Sequence, residues 1–217
     1  LALAALKYGH ILNKGMLSCG TTYVIGIGIP ESYYPQEHSA NLITEETVVF
    51  PTRNRLYHKG IYGRIAVIAG SPGFAGAALM SSKACLRAGA GLVTLFYPKG
   101  METIFAGKVM ELMSQIIPEN ENGLYEHDRL LEMLEPFDVL LLGPGIGKGE
   151  KIQDLAAYLL KYWEKPMVID ADGLNALAAD SSMLYHLKGK QVLLTPHMGE
   201  FTRLAEITME DLEKDII

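Results

Sequence analysis

Four short segments carry residues whose types and spacing suit ligand chemistry. They are Gly70-Ser71-Pro72-Gly73-Phe74-Ala75-Gly76-Ala77, Gly143-Pro144-Gly145-Ile146-Gly147-Lys148-Gly149, Asp170-Ala171-Asp172-Gly173-Leu174-Asn175 and Thr195-Pro196-His197-Met198-Gly199-Glu200-Phe201. In the first, Gly70, Gly73 and Gly76 let backbone approach a ligand closely. A helix opening there adds free N–H donors and partial positive charge. Ser71-Pro72 displaces the second glycine of G-x-G-x-x-G, so this is not the dinucleotide fingerprint. The alternative is a tight strand-to-helix turn. The second segment resembles a phosphate loop only superficially. A Walker-type loop needs Gly at 142, where Leu sits, and Ser or Thr at 149, where Gly sits. Bare backbone at Gly143, Gly145 and Gly147 still suits a ligand at a sheet edge.

In the third segment, two carboxylates at i and i+2 could hold Mg²⁺ through water or place a base. Alternatively, Asp172 is the N-cap of a helix over 173–179. In the fourth, His197 either donates to a ligand carbonyl or phosphate or serves as a structural hydrogen-bonding residue. His10, His38, His58, His127 and His186 lack partners at useful spacing and receive no chemistry. Cys19 and Cys85 show no metal-like spacing and read as free thiols of a reducing compartment.

The elements that must position these segments alternate. Short apolar runs ended by glycine or proline predict strands over 64–70, 92–97, 114–117, 138–142, 166–170 and 191–195. Helices are expected over 75–90, 101–113, 127–134, 150–163, 173–179 and 199–206. Such an order implies a mainly parallel sheet in a three-layer α/β domain, with ligands at the carboxyl ends of its strands. Residues 21–30 predict a short buried strand stopped by Pro30. Residues 31–57 read as a polar connector with a short strand at 47–50.

The chain has 217 residues, 49% hydrophobic and 20% charged, with a net charge of −6. This balance excludes a disordered, collagen-like or disulfide-framework chain. A chain of this size buries roughly 70% of its unfolded surface, enough for a core without staples. The acidic balance argues against broad nucleic-acid binding. No apolar run reaches about 18 residues, so no membrane span is expected.

Taken in order, 58–95, 138–147, 168–177 and 193–204 resemble the NAD(P)H-hydrate dehydratases, nicotinamide-nucleotide repair enzymes of ribokinase-like fold. Residues 7–30 resemble the end of the NAD(P)H-hydrate epimerase domain, which is often fused ahead of the dehydratase in bacteria. The resemblance implies an epimerase remnant over 1–40, a linker over 41–57 and the N-terminal part of a dehydratase domain over 58–217, incomplete at its C-terminus. The implied chemistry phosphorylates the hydroxyl of NAD(P)H hydrate with ADP or ATP and Mg²⁺, after which phosphate leaves. Ala77, Gly145, His197 and Glu200 are the implied substrate-binding residues, and Gly70, Gly76 and Gly143 shape the loops. The family's catalytic Asp lies on a Gly-Thr-Gly-Asp loop expected beyond Ile217. The chain is therefore expected to hold part of the hydrate pocket without the phosphoryl-transfer machinery, and to expose an apolar sheet edge. No metal ligands are assigned. The resemblance further implies a cytoplasmic protein, homo-oligomeric at full length. The alternatives are a small-molecule kinase of the same fold, acting on hydroxymethylpyrimidine or hydroxyethylthiazole, and an inactive nucleotide-binding remnant.

Overall fold

The computed structural model describes residues 1–34, 42–49, 52–54 and 56–214. Contacts divide the chain into Leu1–Arg53 and Asn54–Ile217, so the division falls inside the connector expected at 41–57. In the first unit, β1 (Ala2–Leu3) pairs in parallel with β2 (Val24–Ile25), and between them lie helices α1 (Tyr8–Ile11) and α2 (Asn13–Cys19). The buried strand expected over 21–30 is therefore reduced to two residues, and Val24 and Ile25 are 51% and 42% exposed. Gly26 and Gly28 interrupt the run with no side chain to pack, which weakens a strand. The strand expected at 47–50 is also absent from the described residues. The Thr47 hydroxyl donates to Thr44 O at 2.9 Å and accepts the Thr44 N–H at 2.8 Å, closing a turn instead. Phe50 lies outside the described residues.

The second unit is built on a six-stranded sheet. Its strands are β3 (Arg64–Ile68), β4 (Leu92–Tyr97), β5 (Met113–Ile116), β6 (Val139–Leu142), β7 (Met167–Ile169) and β8 (Val192–Leu194). Every pairing is parallel, in the order β5-β4-β3-β6-β7-β8. Its helices are α3 (Ala75–Ala88), α4 (Glu102–Phe105), α5 (His127–Leu134), α6 (Glu150–Tyr162), α7 (Asp172–Ala179), α8 (Met198–Ala205) and α9 (Met209–Lys214). Side chains of a strand alternate between faces, and here each face has its own core. Ala66, Ile68, Phe96, Leu140 and Leu142 join α5, α6 and α7 through Leu134, Leu155, Leu159 and Leu177. Val67, Val93, Leu95 and Tyr97 join α3 and α4 through Ala78 and Phe105. Helix, sheet and helix therefore make the three layers that the alternation implied.

α6 forms because Ile152, Leu155, Ala156, Leu159 and Leu160 fall on one buried stripe. The end of α6 is closed by Lys190, whose ammonium donates to Leu160 O at 2.7 Å and Trp163 O at 2.9 Å. The long helix expected over 101–113 is only one turn, α4, because Gly107 has φ +75° and turns the chain. The next strand starts at Met113, one residue earlier than expected, and Ile117 is buried beyond its end. Leu193 of β8, at the end of the sheet, is exposed, as are Met198 and Phe201 after it. Among the described residues no helix is long and apolar enough to cross a membrane.

Candidate functional site

All strands of the sheet are parallel, so the segments that follow β3, β6, β7 and β8 leave from one rim. These are the four segments singled out by their chemistry. The chain order reverses between β3 and β6, since β3 continues to β4 and β5 on one side while β6, β7 and β8 lie on the other. In open α/β sheets ligands settle at such a switch point, where neighbouring loops diverge.

The first two segments are joined across that point. Gly70 N–H donates to Pro144 O at 3.0 Å, and the Ser71 hydroxyl donates to Gly145 O at 2.8 Å. Gly145 has φ +64°, and a Cβ there would lie 2.7 Å from the Cβ of Phe74 and 3.1 Å from that of Ala77. Ala77 and Gly145 are thus direct neighbours at the crevice. Gly143 is tighter still, since a Cβ would fall 1.9 Å from Asp170 O. A Cβ on Gly70 would meet Ala78 and Phe105. Gly76 differs from the others: it lies in the first turn of α3, with nothing within 4 Å of a Cβ. Gly73, at φ +87°, bends the loop.

The third segment is held by its own carboxylates. Asp170 Oδ1 accepts the Thr195 hydroxyl at 2.9 Å, tying β7 to β8. Asp172 Oδ2 accepts Gly147 N–H at 3.0 Å, and its Oδ1 accepts the Asn175 amide at 3.3 Å. Asp172 is the first residue of α7 rather than its N-cap, a position that Ala171 takes without a side-chain bond. Ala171 has φ +51° and ψ −117°, strained for a residue with a Cβ. Both carboxylates already accept protein donors, and among the described residues no three His, Cys, Asp or Glu cluster to hold a metal.

In the fourth segment His197 is the N-cap of α8. Its Nδ1 accepts the N–H groups of Gly199 at 3.0 Å and Glu200 at 3.3 Å. The Glu200 carboxylate accepts the His197 N–H at 3.0 Å, completing a reciprocal cap. Since Nδ1 accepts, the ring proton of the neutral imidazole belongs on Nε2, which lies 3.3 Å from Glu200 Oε1. The His197 side chain is 69% exposed and that of Glu200 only 7%. His197 therefore presents its ring to the rim while Glu200 holds it from inside.

Two further residues belong to this rim: Arg203 escaped the sequence reading, and Asn175, within the third segment, received no role there. Asn175, on α7, donates to Asp172, and its Oδ1 accepts from Arg203 Nη2 at 2.9 Å. Arg203 lies on α8, two turns beyond His197. The sequence signal was an amide and a guanidinium, each one turn past a residue already singled out. A hollow of about 110 Å³ opens beside this chain, lined by residues that include Gly147, Lys148, Asp172 and Asn175. Pockets that enclose a whole small ligand run to roughly 300–1,000 Å³, so this hollow takes only part of one. A broader hollow of about 540 Å³ lies between α5 and α6, but Asp128, Glu132 and Glu135 line it and suit no phosphate ligand.

The chain is similar to known relatives and solved structures. The bifunctional NAD(P)H-hydrate repair enzyme Nnr of Moorella thermoacetica is 38% identical over 221 residues, which cover 99% of this chain and 42% of that protein. Its namesake in Escherichia coli is 30% identical over 99% of this chain and 39% of its own length. The chain thus spans about two fifths of the length of these relatives. A ribokinase-like superfamily protein from Enterococcus faecalis superposes with a TM-score of 0.62 at 26% identity, covering 74% of this chain and 54% of that one. The ADP/ATP-dependent NAD(P)H-hydrate dehydratase from Bacillus subtilis, co-crystallized with ATP and Mg²⁺, superposes with a TM-score of 0.57 at 25% identity, covering 76% and 55%. The NAD(P)H-hydrate dehydratase family model matches residues 65–216, which contain all four rim segments. On this match the chain belongs to the NAD(P)H-hydrate dehydratase family.

Proposed function

We propose that this chain serves nicotinamide-nucleotide repair, as part of an ADP- or ATP-dependent dehydratase that returns the S-form of NAD(P)H hydrate to NAD(P)H. One observation carries the reading: Ala77 and Gly145 meet across the switch point, their loops joined by the Ser71–Gly145 bond. Close packing there brings bare backbone to the crevice, where a larger side chain at Gly145 would force the two loops apart. Ala77, Gly145 and His197 line the hydrate pocket, and Glu200 positions His197. Gly70 and Gly143 shape the loops, and Gly76 leaves the first turn of α3 unobstructed.

A hydroxyl leaves poorly and a phosphate leaves well, so the bound phosphoryl donor, with Mg²⁺, would supply the driving chemistry. This chain's own part is to orient the hydrated ring at the rim and keep bulk water from it. No residue of this chain is assigned as the base for phosphoryl transfer. The reading puts the protein in the cytoplasm, homo-oligomeric at full length. The epimerase-like reading of residues 1–40 favours repair over a hydroxymethylpyrimidine-type kinase.

Calorimetric titration of the 217-residue chain with S-hydrated NADH, NADH and hydroxymethylpyrimidine tests this reading. Binding of the hydrate in preference to both is expected. Equal binding of hydrate and NADH, or preference for the pyrimidine, would reject it.

A further inference from the structure

The rim holds a cation that no carboxylate answers among the described residues. Arg203 makes no ion pair there, and its one hydrogen bond goes to a neutral amide, Asn175 Oδ1, at 2.9 Å. The nearby carboxylates are engaged elsewhere: Asp170 by Thr195, Asp172 by Gly147 and Asn175, Glu200 by the His197 N–H. An amide oxygen fixes the guanidinium without neutralising it. Four of its five N–H donors remain, in a planar fork that matches two phosphate oxygens.

Its neighbours say what it faces. A Cβ on Gly199 would lie 3.1 Å from His197 Cε1 and 3.8 Å from Arg203 Nη1, so imidazole and guanidinium flank the same glycine. Asn175, which holds Arg203, also lines the hollow. The start of α8 is not open to an anion at this point, because His197 Nδ1 already accepts the Gly199 and Glu200 N–H groups. An anion reaching His197 therefore meets the side chain of Arg203 rather than the helix end.

We propose that Arg203 is a phosphate-contacting residue of this site, its guanidinium positioned by Asn175 and set beside His197 across Gly199. It receives a phosphate of the dinucleotide whose hydrated ring lies at Ala77, Gly145 and His197. This rests on the repair reading for the ring, but the contact itself needs only a phosphate-bearing ligand. Asn175 is a positioning residue, acting through Arg203.

The 217-residue chain supplies the test. Sodium pyrophosphate is titrated while the Arg203 Nε–H resonance is followed, its assignment fixed by its loss in R203K. S-hydrated NADH and hydrated dihydronicotinamide riboside, which has no phosphate, are titrated by calorimetry into wild type, R203M, R203K and N175A. Pyrophosphate is expected to shift the Arg203 resonance. R203M is expected to weaken hydrated NADH about tenfold or more while leaving the riboside unchanged, R203K to lose less, and N175A less than R203M. Thermal unfolding checks each variant, and R203K decides the matter if R203M does not fold. The proposal is overturned if R203M binds hydrated NADH like wild type, if both ligands weaken equally, or if pyrophosphate leaves the resonance unmoved. Equal binding of hydrated and ordinary NADH by wild type would sink the repair reading alone, and the pyrophosphate shift would still decide Arg203.

Discussion

His197 and Glu200 hold each other at the start of α8: the imidazole Nδ1 accepts the Glu200 N–H at 3.3 Å, and the Glu200 carboxylate accepts the His197 N–H at 3.0 Å. The exposed partner lies at the rim and the buried one sets its angle. Replacing Glu200 by Ala removes the acceptor and leaves a donor unpaired, which costs about 1–2 kcal/mol of stability. Affinity for hydrated NADH should fall with it. Glu200→Gln keeps an acceptor oxygen and should recover most of both. Chemical denaturation and hydrate titration, run side by side, check this.

Gly145 and Gly76 should respond oppositely to alanine. At Gly145 the new Cβ meets Phe74 at 2.7 Å and the backbone has φ +64°. Gly145→Ala should cost about 1–3 kcal/mol and abolish hydrate binding. Gly76 is helical and unobstructed, so Gly76→Ala should be neutral or stabilise by up to about 1 kcal/mol. If both variants lost the same stability, the loop geometry given above would be wrong.

Ser82 Oγ is buried on α3 without a partner, the one such side-chain atom among the described residues. Its desolvation is not offset by a hydrogen bond. Ser82→Ala should therefore stabilise the second unit by about 1 kcal/mol, read as a higher unfolding midpoint.

Much of this fold was legible because its strands are continuous apolar runs closed by glycine or proline. RIAVIAG became β3 and DVLLL became β6, each within a residue or two of its expected limits. The helix over 101–113 failed because one glycine, Gly107, takes a positive φ that residue type alone does not announce. At the rim, Gly143 and Gly145 stood out because close approach requires glycine. The bond from Gly147 to Asp172 spans 25 residues and that from Arg203 to Asn175 spans 28, distances over which spacing carries no message. For the same reason spacing leaves Asp172 open between a ligand-binding carboxylate and a helix cap: its partner, Gly147, arrives from another strand end.

The pair His127 and Tyr158 offers a pH test away from the rim. Their rings stack at 4.9 Å, and the Tyr158 hydroxyl donates to Asp128. Burial lowers the His127 pKa, with Asp154 and Asp128 acting the other way. That contribution to stability is present above the ordinary histidine value and is lost as pH falls through the lower folded one. The bond to Asp128 pushes the Tyr158 phenol up to about 12. Its contribution is complete below the ordinary tyrosine value near 10 and is lost as pH rises through about 12. His127→Gln should flatten the acid limb of the stability profile, and Tyr158→Phe the alkaline limb. An acid limb unchanged in His127→Gln would refute the assignment.

The two strands that frame the crevice, β3 and β6, pair at a sequence separation of 74, as the Ser71–Gly145 bond also does. Among the described residues the strands of the sheet pair only in parallel, so each neighbouring pair must wait for a crossover. Assembly is therefore expected to be slow, in the range of non-local topologies, with closure of that one long loop as its expected decisive step. The crevice at the switch point is formed by that closure. Substitutions at the β3–β6 seam should retard refolding in stopped-flow experiments, whereas those on α6 away from the seam should mainly hasten unfolding.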